Sequence, residues 1–195
     1  MKPTKELLEK MYLGEKMAVS VIADKIGYSQ SGINYWINKY KINKRSIGEA
    51  IYLKHNPKGD PFNFKEPINK EDAKLFGMGI GLYWGEGTKA NKNTVRLGNS
   101  DINILRTFID FLNKFFGVSK DKLKFQLQLF SDLDINIAKR YWINGLKISK
   151  KQLYKTIITK SGSLGTYRHK SQYGVMTLYY GNTKLRNILV GMLPK

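Results

Sequence analysis

Residues 73–89 read Ala-Lys-Leu-Phe-Gly-Met-Gly-Ile-Gly-Leu-Tyr-Trp-Gly-Glu-Gly-Thr-Lys, an apolar stretch without proline that is typical of a helix. Glycine nevertheless stands at 77, 79, 81 and 85, and a glycine inside a helix is about 1 kcal/mol less favourable than alanine. Gly77, Gly81 and Gly85 lie four residues apart, so they share one face of the helix. A face without side chains lets another backbone approach closely. We therefore predict that two copies of this helix pair and make the protein a homodimer.

Glu86 stands where this helix should end, with Gly87 placed to cap it. A carboxylate is disfavoured there by about 0.3–1 kcal/mol because the C-terminal end of the helix dipole is negative. Pairing of two helices would also bring two Glu86 carboxylates close together, and a divalent cation beside them would offset the repulsion. The alternative is a buried helix of an ordinary hairpin, with Glu86 merely exposed at its end.

The segment from Gly81 to Gly87 resembles the signature helix of the LAGLIDADG homing endonucleases. In that family small residues pack two such helices together, and the acidic residue near the end binds the catalytic metal ion. The match covers five positions: Gly81, Leu82, Gly85, Glu86 and Gly87. It departs at Tyr83 and Trp84, where the family has a smaller aliphatic residue and often an acid. The resemblance implies that Glu86, with the backbone of Gly85, holds Mg2+ or Mn2+.

The charge of the chain indicates its class of partner. It has 34 Lys and Arg against 15 Asp and Glu, a formal net charge of +19, which favours a polyanion and most often nucleic acid. A ribosomal or generic RNA-binding protein fits this charge equally well. The chain has no cysteine, which excludes disulfides and cysteine–zinc sites, and only two histidines, which argues against nucleases that need several. Without a signal-peptide core or an apolar run of transmembrane length, we expect a cytoplasmic protein with no membrane partner.

Residues 1–45 carry three helical patterns, near 5–13, 18–26 and 30–40, and Gly27-Tyr28-Ser29 is placed as a turn. The arrangement resembles a helix-turn-helix module, in which the second helix of the pair enters the major groove of double-stranded DNA. The residues predicted to contact DNA are the polar ones of that helix and two basic ones after it: Gln30, Ser31, Asn34, Tyr35, Asn38, Lys39, Lys44 and Arg45. The alternative is a three-helix packing unit whose polar face is only solvated.

The rest of the chain divides into a linker and a second domain. Residues 46–67 are rich in proline and glycine and are predicted to be a linker, or a strap lying on the second domain, 68–195. After the glycine-rich helix we predict strands at 87–90, 94–99, 123–130, 152–159 and 174–180, and helices at 101–116, 134–146 and 183–193. With the helix at 134–146 taken as an insertion, this α+β order is similar to the αββαββα arrangement of the LAGLIDADG fold.

In that fold the outer face of the sheet lies on DNA, which implies DNA contacts from the outward strand residues and from one basic loop: Lys89, Arg96, Lys124, Gln126, Gln128, Lys155, Arg168, Lys170 and Thr177. Arg and Lys can contact guanine, Gln can contact adenine, and the others can hold phosphates. The alternative is a solvated sheet face and a loose hairpin loop, although these strands have almost no acids. Beside Glu86, we assign Lys124 to stabilising charge and Gln126 to positioning water during catalysis.

Three functions from different classes follow. The first is a homodimeric, divalent-metal-dependent endonuclease that makes double-strand breaks in DNA at a specific sequence. The second is a regulator of transcription that keeps the fold and binds DNA without cutting it. A third function, RNA binding in splicing, is less favoured. The resemblance implies that Glu86 favours the endonuclease, because the regulators among the relatives of that family have generally lost the acid.

Overall fold

The computed structural model describes residues 2–161 and 171–194 and is α+β, with eight α-helices and a four-stranded mixed sheet in those ranges. The chain divides into two compact units, Met1–Pro61 and Phe62–Lys195. The division therefore lies inside the segment 46–67 that the sequence predicts as a linker. In the described ranges, every helix is too short or too polar to cross a membrane.

The first unit is a small helical bundle. Its helices are α1 Lys5–Glu9, α2 Val19–Ile26, α3 Gln30–Lys39 and α4 Ile47–His55, and α1 continues into a π-helical turn, Lys10–Gly14. One buried cluster holds α1, α2 and α3 together: Leu8, Met11, Tyr12, Ile22, Ala23, Ile33, Ile37 and Ile42. Gly27 adopts a left-handed φ of +72°, which ends α2, and the Ser29 side chain accepts the Gly32 N–H, which starts α3.

The second unit has four helices and the sheet. In chain order they are α5 Lys70–Glu86, β1 Val95–Asn99, α6 Ile102–Phe116, β2 Lys124–Phe130, α7 Ile135–Leu146, β3 Ile157–Thr159, β4 Val175–Tyr180 and α8 Thr183–Gly191. Side chains cap the starts of α5, α6, α7 and α8, namely Asn69, Asp101, Asp134 and Asn182. Eight residues of α6 are buried, so this helix forms the centre of the core.

The sheet has the order β1-β4-β2-β3, and the pairing of β2 with β3 corrects the predicted arrangement. The two strands are parallel, and a parallel pair needs a crossover of a dozen or more residues between its strands. α7 supplies that crossover, so this helix is part of the sheet's connectivity and not an insertion. Three strands follow α6, where the αββαββα order has two.

Two predicted strands are shorter in the structure. Of the predicted strand 87–90, only an isolated bridge between Gly87 and Leu97 is present. Of the predicted strand 152–159, only β3 and an isolated bridge at Leu153 remain. The side-chain amide of Gln152 is instead buried and donates to the Lys120 and Leu123 carbonyls, which holds this segment in a 3-10 turn.

Two glycines set the position of α5 on the core. A Cβ on Gly79 would lie 2.2 Å from Cγ of Phe111 in α6, so only glycine allows the two helices this approach. A Cβ on Gly87 would lie 2.3 Å from the Tyr83 carbonyl oxygen. The φ of Gly87 is −73°, so this residue is an extended cap and not the left-handed one that the sequence suggests. The inner face of α5 is thereby fixed against the core, and its outer face is left open.

Candidate nucleic-acid interface

The outer face of α5 carries the three glycines spaced four apart. Gly77, Gly81 and Gly85 are all exposed, and no atom outside their own helix backbone and chain neighbours lies within 4 Å of a Cβ built on any of them. Beside them, the side chains of Met78 and Trp84 are 45% and 56% exposed. The described part of the subunit therefore contains nothing that requires these glycines. The homodimer built on them stays a prediction.

Glu86 is exposed at the last position of α5, and its carboxylate has no hydrogen bond or ion pair within residues 2–161 and 171–194. Lys89, which the sequence predicts as an outward DNA contact, does not point freely outward. Its ammonium group donates to the Trp84 carbonyl and, at 3.4 Å, to the Tyr83 carbonyl. A cation at the carbonyl end of a helix offsets its negative dipole. Arg186 in turn donates to the Lys89 carbonyl and so fixes the segment after α5.

A divalent cation at this end of α5 would find few ligands in one subunit. Among the described residues there is no cluster of three or more His, Cys, Asp or Glu that could hold a metal ion. One chain offers the Glu86 carboxylate and carbonyls of the last turn, such as that of Gly85, and these are oxygen donors of the kind Mg2+ prefers. Mg2+ usually takes one or two carboxylates and fills its other positions with water and phosphate oxygens. The types of donor therefore fit Mg2+, and one subunit supplies a single carboxylate toward it.

The predicted DNA-facing residues of the strands lie on one face of the sheet. The register places Arg96, Tyr179 and Lys124 side by side across β1, β4 and β2, and Gly98, Thr177 and Gln126 in the next row of that face. A third row contains Val175, Gln128 and Ile157. The four strands of the described sheet contain no Asp or Glu. We call the face formed by these three rows the outer sheet face.

Tyr179 contacts both Arg96 and Gln126 on the outer sheet face. Its ring lies 5.0 Å from the Arg96 guanidinium carbon, and its hydroxyl donates to Oε1 of Gln126 at 2.9 Å. Nε2 of Gln126 donates to the Lys155 carbonyl at 3.3 Å, and the Tyr154 ring packs edge-on against Tyr179. Both ends of the Gln126 amide are thus oriented, and each keeps one further hydrogen-bonding site.

The remaining predicted residues of this surface differ in their surroundings. The ammonium group of Lys124 donates to the Lys151 carbonyl at 3.1 Å, and the Gln128 amide donates to Thr159 Oγ1 at 3.4 Å. Lys155 is exposed. No hydrogen bond or ion pair in the described part of the chain joins Glu86 to Lys124 or Gln126, the two residues assigned with it to catalysis. Arg168 and Lys170 lie outside the described residues.

The predicted recognition helix, α3, presents its polar residues to solvent. The exposed set is the one that the sequence identifies: Gln30, Ser31, Asn34, Tyr35, Asn38 and Lys39. Two of them also contact each other, since the Lys39 ammonium donates to the Tyr35 hydroxyl at 3.2 Å and lies 5.0 Å from the centre of the Trp36 ring. The Lys39 ammonium group is therefore held beside two aromatic rings of α3.

Arg45, predicted as a DNA contact, is a packing residue in the structure. Its side chain is only 6% exposed, its guanidinium carbon lies 4.0 Å from the centre of the Tyr12 ring, and Nη1 donates to the Met17 carbonyl at 2.7 Å. Lys44, the neighbouring prediction, is exposed. The sequence alone could not distinguish the buried Arg45 from the exposed Lys44, because the partners of Arg45 lie about thirty residues away along the chain.

Two titratable side chains of α5 have altered pKa values. Asp72 near the start of α5 is buried, and its ion pair and hydrogen bond with Lys114 of α6 hold the pKa of this carboxyl below its usual value. Burial raises the pKa of Tyr83, and nearby Arg186 lowers it in part. The Tyr83 hydroxyl has no hydrogen-bond partner in the described residues. Both residues fasten the inner face of α5, and neither lies on its glycine face.

Three residues of these surfaces were not predicted as functional: Tyr179 on the sheet, and Met78 and Trp84 on α5. The alternation of β4 places Tyr179 on the face of Thr177, so the period of two residues would have found it. Met78 and Trp84 share the α5 face with Gly81, at helical spacing.

Comparison of the chain with models of protein families, with curated proteins and with solved structures found no match.

Proposed function

We propose that the protein is a homodimeric, sequence-specific DNA-binding protein that cleaves both strands of DNA with the help of a divalent metal ion. One observation carries the proposal: an exposed glycine face on α5 ends directly in an exposed carboxylate without a partner. In a pair of subunits related by a two-fold axis, the same face of each α5 would meet its copy. Two Glu86 side chains would then be shared by one site.

The metal ion, when bound, would activate water and stabilise the leaving oxygen of the scissile phosphate. In this proposal Glu86 and the Gly85 carbonyl hold the ion. Lys124 stabilises negative charge on the phosphate, and Gln126, oriented by Tyr179, positions a water molecule. The outer sheet face and α3 bind the flanking DNA, with a net charge of +19 per subunit favouring the complex.

A second function, a DNA-binding regulator that does not cleave, is favoured by a different observation. The polar groups of Lys124 and Gln126 are engaged with carbonyls of the sheet's own neighbourhood, at Lys151 and Lys155. Side chains held in this way are fixed in position for contacting base edges, whereas their engaged polar groups are less free to act on a scissile phosphate. The same fold and the same dimer would then serve recognition alone.

Cleavage of a randomised duplex library with Mg2+ or Mn2+ separates the two functions. The wild-type protein is compared with Glu86→Gln, whose neutral amide is a poor Mg2+ ligand. Glu71→Gln is the control, because Glu71 is also exposed on α5 but lies in its first turn. We expect cleavage by the wild type and by the control, and binding without cleavage by Glu86→Gln. Cleavage by all three would remove Glu86 from the reaction, and enrichment of a site without any cleavage would favour the regulator.

The dimer is tested independently by Gly81→Leu. The leucine side chain fits the open space of one subunit but would force two paired α5 backbones apart. We expect the wild type to sediment as a dimer, alone or on DNA, and the variant as a folded monomer. A wild-type protein that stays monomeric in both conditions contradicts the proposed assembly.

A further inference from the structure

The Lys89 side chain folds back onto the end of α5. Its ammonium group donates to the Trp84 carbonyl and, at 3.4 Å, to the Tyr83 carbonyl. Both carbonyls belong to the last turn of α5, whose oxygen atoms point beyond the end of the helix together with that of Gly85. The negative end of the helix dipole attracts a cation to these oxygen atoms. The Lys89 ammonium group therefore lies where a metal ion held by Gly85 and Glu86 would also be attracted.

The Glu86 carboxylate does not hold this ammonium group, although Glu86 and Lys89 lie only three residues apart in the sequence. Of the ion pairs within residues 2–161 and 171–194, none includes either side chain. Lys89 thus keeps a positive charge that no acid neutralises there, and the Glu86 carboxylate stays exposed to solvent. The end of α5 combines a carboxylate that is open to a cation with an ammonium group that would repel that cation.

The backbone around Lys89 is fixed, so its side chain can change position by itself. The Thr88 N–H donates to the Arg96 carbonyl at 3.0 Å, and the Arg186 guanidinium donates to the carbonyls of Lys89 and, at 3.1 Å, Asn91. Arg96 belongs to the outer sheet face, and its contact with Thr88 places Lys89 beside that face. The flexible four-carbon stem of a lysine lets its ammonium group move from the carbonyls of α5 to a phosphate group nearby.

We propose that Lys89 couples the binding of the metal ion to the binding of DNA. Without DNA, the ammonium group stays at the end of α5 and weakens metal binding, because two cations compete for the same oxygen atoms. A phosphate of bound DNA draws the ammonium group away, because it accepts a charge-assisted hydrogen bond from it. The ion is then held tightly only when DNA is present. This inference rests on the proposed function, since it requires that Glu86 and Gly85 hold the ion.

The test measures the affinity of the full chain for Mn2+ from the electron paramagnetic resonance signal of the unbound ion. Each protein is titrated alone and bound to a DNA duplex with phosphorothioate linkages, which resist hydrolysis. Lys89→Met keeps an unbranched apolar stem but lacks the charge. Lys92→Met is the control, because it removes the same charge at an exposed position three residues further along. Glu86→Gln is combined with each variant to identify binding at the proposed metal site.

Without DNA, Lys89→Met should bind Mn2+ about tenfold more tightly than Lys92→Met, and the added Glu86→Gln should remove this difference. On DNA the two variants should bind Mn2+ with equal affinity, because Lys89 of the control has then left the carbonyls of α5. In urea without metal, the midpoint of Lys89→Met should lie below that of Lys92→Met, since the end of α5 loses its cation.

Coupling of this kind is reciprocal, which gives a second measurement. Mn2+ should strengthen DNA binding by a factor about ten times larger in Lys92→Met than in Lys89→Met. Fluorescence anisotropy of the labelled phosphorothioate duplex, with and without Mn2+, measures both factors.

The outcomes separate this inference from the proposed function. Equal Mn2+ affinities of Lys89→Met and Lys92→Met without DNA, each lowered by Glu86→Gln, overturn the role of Lys89 and leave the proposed metal site in place. A difference in Mn2+ affinity that persists on DNA overturns the coupling, since the ammonium group has then not moved. Mn2+ binding that is absent, or that Glu86→Gln does not change, contradicts the metal site of the proposed function, and the inference fails with it.

Discussion

Replacing Gly79 by alanine should destabilise the second unit, whereas replacing Gly81 should not. The new Cβ at position 79 would lie 2.2–2.7 Å from three carbons of the Phe111 ring, and Phe111 is fully buried among other aromatic side chains of the core. Overpacking of this kind costs about 1–3 kcal/mol. The higher helix propensity of alanine offsets about 1 kcal/mol of this cost. The difference leaves a fall in the free energy of unfolding of about 0–2 kcal/mol.

Gly81→Ala is the matched control, since it is the same change two residues away in the same helix. No atom lies within 4 Å of its new Cβ, so the variant should gain about 0.4–1 kcal/mol as a monomer. Urea unfolding at low protein concentration measures both, with Trp142 as the reporter in a background of Trp36→Phe and Trp84→Phe. Trp142 is fully buried in the second unit, and its Nε1 donates to the Tyr173 carbonyl at 2.8 Å. Equal midpoints for the two variants would refute the close contact of α5 and α6.

Two further predictions concern the sheet and the start of α5. Tyr179→Phe should leave the fold intact and should lower the free energy of unfolding by about 0.5–1.5 kcal/mol, because one hydrogen bond is lost. Under the proposed DNA-binding function, the variant should also relax the DNA sequence preference at one base pair, because Gln126 loses its orientation. Selection of sites from a random library measures this preference. Because the pKa of Asp72 is lowered in the folded state, its stabilising effect should be complete above about pH 4 and should disappear as the pH falls further through the folded pKa. Urea midpoints measured from pH 7 to pH 2 should therefore fall less steeply for Asp72→Asn than for the wild type.

Local signals in the sequence predicted most of the helices and the strands with clear alternation. Ser29, Asn69, Asp101 and Asp134 each cap a helix, and their partners lie two or three residues away, within reach of sequence reasoning. The alternation of β2 likewise placed Lys124, Gln126 and Gln128 on the outer face. A cap and an alternation depend only on neighbouring residues, which is why both are visible in the sequence.

Features that depend on distant residues could not be predicted in this way. The parallel pairing of β2 and β3 depends on where α7 packs, and the burial of Arg45 depends on Tyr12 and Met17. The alternation of the predicted strand 87–90 places Lys89 outward. That strand does not form beyond the bridge at Gly87, so the alternation does not apply to Lys89. An alternation rule applied to a segment that is not a strand gives the wrong face.

The four glycines of α5 have different physical explanations, and the difference bears on function. Gly79 is required inside the subunit, because any side chain there would overlap Phe111. Gly77, Gly81 and Gly85 have open space around them, so alanine at all three would make the isolated helix more favourable by about 3 kcal/mol, at about 1 kcal/mol each. The described part of the subunit offers no contact that offsets this difference, and it also leaves Met78 and Trp84 exposed beside the glycines. A second α5 packed against this face would offset it through backbone contact and burial of both apolar side chains, and for this reason we propose that the glycine face serves assembly.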